Sequence, residues 1–379
     1  MNQVRQPQTR RDTHPWAGCL IALLVSVGLL TACGSKPAAT PPPTPTPPLA
    51  ETLTLYNWAE YMPQSVLDAF EQEYGVKIDY QTYDTQEEAA ANLRAGKVYD
   101  VVVMPPELFA KLIEDGVLAR IDHRNVPNFK NISANFRDLV FDPGNQYSIP
   151  FHWGTTGLLV RTDLITAPVK HWADLWRPEF AGKVALWPIP RELIPIALKS
   201  LGYSLNSTNL AELEQALAKL IDLKQHALLI DPSDSSSVPV LADGRAVIAH
   251  GWAYDAQLAL DENLPIEYVL PEEGTYLWSD SFVVPANSPH KATAEAFINF
   301  ILRPEISARI VEESAYAMPN DAAERLIKPD ILNNPLIYPP NTAMQHAEIC
   351  IPLDAASQNL YDDLWARFLA AGKQGTGHQ

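Results

Sequence analysis

Thr52-Leu-Thr-Leu-Tyr-Asn-Trp-Ala-Glu-Tyr-Met-Pro-Gln-Ser-Val-Leu-Asp-Ala-Phe-Glu-Gln-Glu-Tyr-Gly75, followed by Val76-Lys-Ile-Asp-Tyr80, decides the fold class. Apolar and polar residues alternate through residues 52–56, the period of a half-buried strand. Val66, Leu67, Phe70 and Tyr74 then recur at helical spacing, and Gly75 stops the run before residues 76–80 alternate again. Working outward, residues 85–95 read as a helix closed by Gly96, 99–104 as a buried strand and 106–115 as a third helix closed by Gly116. Strands alternating with helices of this length imply parallel βαβ units. The same alternation returns at 183–187, 192–201, 210–224, 227–230, 238–243, 246–252 and 253–261, which predicts a second α/β unit. Residues 117–182 are less regular, rich in aromatics and prolines, and read as a crossover between the two. A ligand is then expected in the cleft between the units, held by residues just after strands.

Composition narrows the partner. The 379 residues hold 28 Lys+Arg against 45 Asp+Glu, a formal charge of −17, and at 47% hydrophobic they can bury a sizeable core. Disorder, collagen and disulfide-stapled miniproteins are excluded. No basic stripe is present for nucleic acid, and an acidic surface suits a cationic ligand.

The chain ends differ from its middle. Arg5, Arg10 and Arg11 precede the uncharged run Trp16-Ala-Gly-Cys-Leu-Ile-Ala-Leu-Leu-Val-Ser-Val-Gly-Leu-Leu-Thr-Ala-Cys33. This is the basic-then-apolar pattern of a secretory signal, and Leu30-Thr-Ala-Cys33 resembles the bacterial lipobox, after which Cys33 is lipidated. An uncleaved transmembrane anchor is the other reading of the run, and both place the remainder outside the cytoplasm. Seven prolines between Ser35 and Ala50 make a semi-rigid spacer. The expected organisation is a signal peptide at 1–32, a tether at 33–50 and a short flexible tail at 373–379. Removing residues 1–32, with three positive charges and one negative, makes the remainder two units more negative still. Cys350 is left as a lone cysteine, so no disulfide framework or cysteine metal site is expected.

Three clusters of aromatic residues and carboxylates follow strands: Asn57-Trp-Ala-Glu-Tyr61, Gly251-Trp-Ala-Tyr-Asp255 and Thr275-Tyr-Leu-Trp-Ser-Asp280. Aromatic faces attract an ammonium with about 0.5–2 kcal/mol per desolvated contact. A carboxylate about 4 Å from an ammonium adds on the order of 4 kcal/mol at an effective dielectric of 20. Together they describe a slot for an alkyl diamine or polyamine. The alternative reading makes each Trp core and each acid a cap or solvated turn; three such clusters favour the slot. No phosphate loop, dinucleotide fingerprint, metal-binding His helix or nucleophile elbow is found. His152 and His250, beside Trp153 and Trp252, read as packed, hydrogen-bonded side chains.

The strings Leu55-Tyr-Asn-Trp-Ala-Glu-Tyr61, Tyr147-Ser-Ile-Pro-Phe-His-Trp-Gly-Thr-Thr-Gly157, Trp172-Ala-Asp-Leu-Trp176, Trp278-Ser-Asp280 and Leu302-Arg-Pro304 give the chain a further identity. From about residue 52 to 372 it resembles the bacterial spermidine/putrescine-binding periplasmic proteins of ABC transporters. The resemblance implies a two-lobed substrate-binding protein of cluster D, type II, with two crossover connections, closing over its ligand by a hinge. The lobes are expected at 51–155 plus 278–324 and 156–277 plus 325–372. It implies ligand contacts from Trp58, Glu60, Tyr61, Trp252, Trp278 and Asp280, with Asp255 matching an acid of putrescine-type members and Glu192 and Tyr316 matching spermidine-type positions. Departures fall at Pro105-Pro-Glu107, at Ile189 where spermidine-type members carry an acid, at Ala59, and at Cys350 where they carry Gln. Glu107 is a candidate replacement charge, and Cys350 a candidate neighbour of the ligand.

The expected function is a lipid-anchored periplasmic protein that captures a polyamine for an inner-membrane ABC permease. It is expected to act as a monomer, without cofactor, metal or enzymatic step. A polyamine sensor docking on a membrane receptor, and a binder of another organic cation, are the alternatives.

Overall fold

The computed structural model describes residues 48–231, 234 and 236–372. The signal run, Cys33, most of the proline spacer and the tail at 373–379 lie outside the described residues.

In chain order the elements are β1 (Thr52–Asn57), α1 (Gln64–Tyr74), β2 (Lys77–Thr82), α2 (Gln86–Arg94), β3 (Val101–Met104), α3 (Phe109–Glu114) and β4 (Ser148–Arg161). There follow β5 (Val184–Leu186), α4 (Pro190–Ser200), α5 (Leu210–His226), β6 (Ala227–Leu229), α6 (Val238–Ala242), β7 (Ile248–Trp252), α7 (Ala253–Asp261) and β8 (Ile266–Val269). The chain closes with β9 (Tyr276–Val283), α8 (Lys291–Ile301), α9 (Pro304–Ser314), α10 (Pro329–Leu332), β10 (Glu348–Ile349) and α11 (Ala355–Ala370). Among the described residues no helix is long and apolar enough to cross a membrane.

Local chemistry sets these boundaries. Gly75 ends α1 in the left-handed conformation, φ 69°, with its N–H on Glu71 O at 2.9 Å, a geometry that a Cβ disfavours. Thr85 caps α2 by accepting from Glu88 N at 3.1 Å. The third helix starts later than its apolar pattern implies. Pro105 is extended before Pro106, as a residue preceding proline is pushed to be, and a 3-10 turn at Pro106–Leu108 comes before α3.

The larger difference lies at 117–182, where the irregular crossover contains the 14-residue strand β4. Pro150, Gly154 and Gly157 hide it from the sequence pattern. Pro150 sits beside a register shift in the pairing with β9, where a proline is tolerated. Gly154 lies under the Trp278 ring and Gly157 under Tyr268, so these positions lack side chains because aromatic rings occupy the space.

Among the described residues ten strands join one sheet in the order β2-β1-β3-β9-β4-β7-β5-β6, with β10 on β9 and β8 on β4. β1 runs parallel to β2 and β3, and β5 parallel to β6 and β7. Between these two parallel groups stand β9 and β4, antiparallel to each other and to β3 and β7 respectively. Apolar side chains gather on both faces of each group. Leu53, Leu55, Phe70, Phe151, Phe282 and Phe297 form one core, and Val102, Met104 and Phe109 pack on the opposite face of the same strands. Leu158, Leu186, Leu193 and Leu217 form the second lobe's core, with Leu159, Ala249 and Ala256 on its other face. Each fully buried Leu or Phe contributes about 1.5–3 kcal/mol.

β4 therefore begins in the first lobe, at Ile149 and Phe151, and ends in the second, at Leu158 and Val160. Ile327 and Ile337 still belong to the first core, so the chain stays with that lobe past the boundary expected at residue 324.

Candidate ligand-binding cleft

The carboxyl ends of four parallel strands bring acids to the line between the lobes. β1 leads into Trp58, Glu60 and Tyr61, β3 into Glu107, β5 into Glu192 in the first turn of α4, and β7 into Asp255 in the first turn of α7. Pro190 occupies the first helical position of α4, which accounts for the Trp187-Pro-Ile-Pro190 run: it ends β5 and starts the helix within three residues. Trp278 and Asp280 differ from expectation. They lie inside β9, not in a loop after a strand, and reach the cleft because β9 crosses it.

Asp280 is buried and accepts the Tyr61 hydroxyl at 2.9 Å. Burial pushes its carboxyl up to about 7, against the Tyr61 bond, while the Glu107 charge adds to the rise. Tyr61 packs edge-on against Tyr316, ring centroids 4.8 Å apart, and Trp278 meets Tyr316 at 6.0 Å. Trp58 lies 4.4 Å from Tyr83, and its indole is close enough to Asp280 to favour the ionised carboxylate. The Asp280 carboxylate is thus held by Tyr61, which belongs to a cluster of packed aromatic rings.

Glu192 is buried, with Trp252 Nε1 donating at 3.4 Å and Thr156 Oγ1 at 3.5 Å to Oε1. Its Oε2 has no partner, and burial raises its carboxyl to about 8. Asp255, 1% exposed, accepts from Ser237 Oγ at 2.7 Å; burial raises it to about 6 against the serine bonds. Glu107 accepts the Tyr276 hydroxyl at 3.1 Å on Oε1, leaves Oε2 buried and unpartnered, and is raised by burial. Glu60 stands apart from these four. It is exposed and left-handed, φ 56°, and its charge bears on Tyr254 and Tyr316 at the rim.

Cys350 is buried against Tyr276 and Trp278, as a small hydrophobe would be, but its sulfur also accepts Arg191 Nη2 at 2.6 Å. His152 and His250 are fully buried, and desolvation lowers both to about 3. His152 contacts the Ala317 and Tyr61 carbonyls, and His250 Nδ1 accepts from Trp187 N. Neutral and packed, neither offers a charge. Among the described residues no group of His, Cys, Asp and Glu is placed to hold a metal ion.

Residues 65–338 match the family model described as bacterial extracellular solute-binding protein. The chain belongs to the bacterial extracellular solute-binding proteins. It is 35% identical over 325 residues to the spermidine/putrescine-binding periplasmic protein of Escherichia coli K12, covering 85% of this chain and 92% of that relative. Among solved structures it is similar to the spermidine/putrescine ABC transporter substrate-binding protein of Streptococcus pneumoniae. That match has a TM-score of 0.75 and 29% identity, and covers 85% of this chain and 99% of the other. A lipoprotein of Treponema pallidum gives a TM-score of 0.75 at 27% identity, covering 84% and 99%. The architecture is the two-lobed, type II form of a periplasmic binding protein.

In this solute-binding protein four residues outside the expected set of ligand contacts pack against that set. Tyr254 stacks on Tyr316, Tyr83 backs Trp58, Tyr276 holds Glu107, and Arg191 enters beside Glu192. Tyr254 and Arg191 sit next to residues that were singled out, so adjacency was the available signal. Tyr276 stands in the Thr275–Asp280 cluster, whereas Tyr83 is brought to Trp58 only by the fold.

Proposed function

We propose that this protein captures a polyamine of the putrescine/spermidine class outside the cytoplasm and delivers it to an ABC permease. The observation that carries the reading is Asp280, a buried carboxylate with Tyr61 as its donor and Trp58, Trp278 and Tyr316 around it. A methylene chain packs against those rings while an ammonium pairs with Asp280, and the sequence similarity to spermidine/putrescine-binding proteins supports the same ligand class. Asp255 and Glu192 are the partners assigned to further ammonium groups, and Glu60 guards the entrance.

The hinge is assigned to β4 and β9, the paired strands that run between the cores. Closing around them desolvates the ion pairs. The protein performs no chemical step and acts as a monomer. The lipobox-like Leu30-Thr-Ala-Cys33 supports anchoring through lipidated Cys33.

A thermal-shift panel on the purified protein tests the ligand class, because a ligand that binds only the folded state raises its midpoint. Putrescine, cadaverine, spermidine or spermine is expected to raise it by several degrees at millimolar concentration. No rise with any of the four rejects the reading.

A further inference from the structure

Arg191, in the first turn of α4, is only 7% exposed. Nη2 is used twice, on Cys350 Sγ at 2.6 Å and Ile351 O at 2.7 Å, and the guanidinium lies 5.0 Å over the Tyr361 ring. Its Nε and Nη1 are buried without a partner. Glu107, which comes from the other lobe, has the complementary defect: Oε1 is taken by Tyr276 and Oε2 is buried and unpartnered. Each group lies within the other's electrostatic reach, yet the orphaned atoms do not meet. Trp278 Nε1, another donor, is also without a partner.

A simple polyamine does not resolve this arrangement. Ammonium groups only donate; one placed here satisfies Glu107, leaves the guanidinium N–H groups bare and adds like-charge repulsion. A neutral group that accepts from Arg191 and donates to Glu107 satisfies both at once. An amide does this, its carbonyl on the guanidinium and its N–H on the carboxylate, and a carbamoyl group does the same. Glu107 and Cys350, two of the positions where the sequence departs from the polyamine-binding pattern, both sit at this end.

We propose that the Arg191–Glu107 end of the cleft takes a neutral amide cap, so that the preferred ligand is a diamine acylated on one nitrogen, with its free ammonium at Asp280. The proposal rests on the cleft being the polyamine site and refines what that site selects.

Calorimetry on the full chain with putrescine, spermidine, N-acetylputrescine and N-carbamoylputrescine tests it. At least one capped diamine is expected to bind tenfold or more tighter than putrescine. Arg191→Met is expected to bring that preference ratio close to one, and Glu107→Ala, a change at a half-buried turn, to reduce it in the same direction should Arg191→Met fail to fold. If putrescine or spermidine binds as tightly as the capped diamines, the amide subsite is wrong and the polyamine cleft stands. If neither variant changes the ratio, these residues do not form the subsite. If none of the four compounds binds, the cleft assignment itself falls, and the amide subsite with it.

Discussion

Tyr254 lies stacked on Tyr316, ring centroids 5.2 Å apart and planes inclined by 19°. Tyr254 stands in α7 on the second lobe, whereas Tyr316 packs against the core of the first. One aromatic contact therefore bridges the lobes directly over the cleft, and Tyr316 also touches Tyr61 and Trp278 beneath it. Such a pair contributes about 0.5–1.5 kcal/mol beyond its buried area. Tyr254→Ala is expected to weaken ligand binding about 3- to 10-fold, mostly through faster release. Stopped-flow tryptophan fluorescence separates the two rates, and an effect confined to association contradicts a role in holding the lobes shut.

Asp280→Asn keeps the shape of the site and removes a buried charge. Losing one member of a buried charge pair is costly, so diamine affinity is expected to drop at least roughly tenfold. Calorimetry reads this directly, and unchanged affinity rejects the assignment of an ammonium to this carboxylate.

The raised acids predict how stability varies with pH. In the folded, ligand-free protein Asp280 titrates near 7 and Glu192 near 8, both above their ordinary values because of burial. Between about pH 6.5 and 8 the folded state holds protons there that the unfolded chain has released, so stability falls as pH rises through this window. His152 and His250, neutral when folded, oppose the trend in part near pH 6.5, where the unfolded imidazoles are still about half protonated, and cease to matter toward pH 8. The free protein's melting midpoint is expected to decline from pH 6.5 to 8, less steeply in Glu192→Gln. A bound ammonium ligand, which favours the ionised acids, is expected to produce a larger midpoint shift at pH 8 than at pH 6. Melting curves across this range, with and without ligand, check both signs.

Gly154 is paired with Trp278 across β4 and β9, and a Cβ there would stand 2.3 Å from the indole ring. Gly154→Ala must displace Trp278 from the cleft or open the strand pair. Overpacking of this kind costs about 1–3 kcal/mol. A lower unfolding midpoint together with a changed tryptophan emission spectrum is expected, and retention of both indicates that the ring moves freely.

What the sequence by itself determined rests on local chemistry. The alternation at β1 and β2 and the helical spacing with its Gly75 stop are properties of neighbouring residues, and so is the clustering of Trp58, Glu60 and Tyr61. They announced an α/β chain with an aromatic, acidic cleft. The 14-residue β4 escaped notice because its glycines make sense only once Trp278 and Tyr268 are laid over them from other strands. The tertiary structure alone decided which acids are buried: Asp280 meets Tyr61 across 219 positions of chain, while Glu60, equally prominent in the same motif, remains in water. It alone also brought Arg191 and Glu107 within electrostatic reach of each other, both with buried unpartnered atoms. Residue type carries the chemistry of a site, but burial and pairing set its charge and selectivity, and both are created only when distant strands are brought side by side.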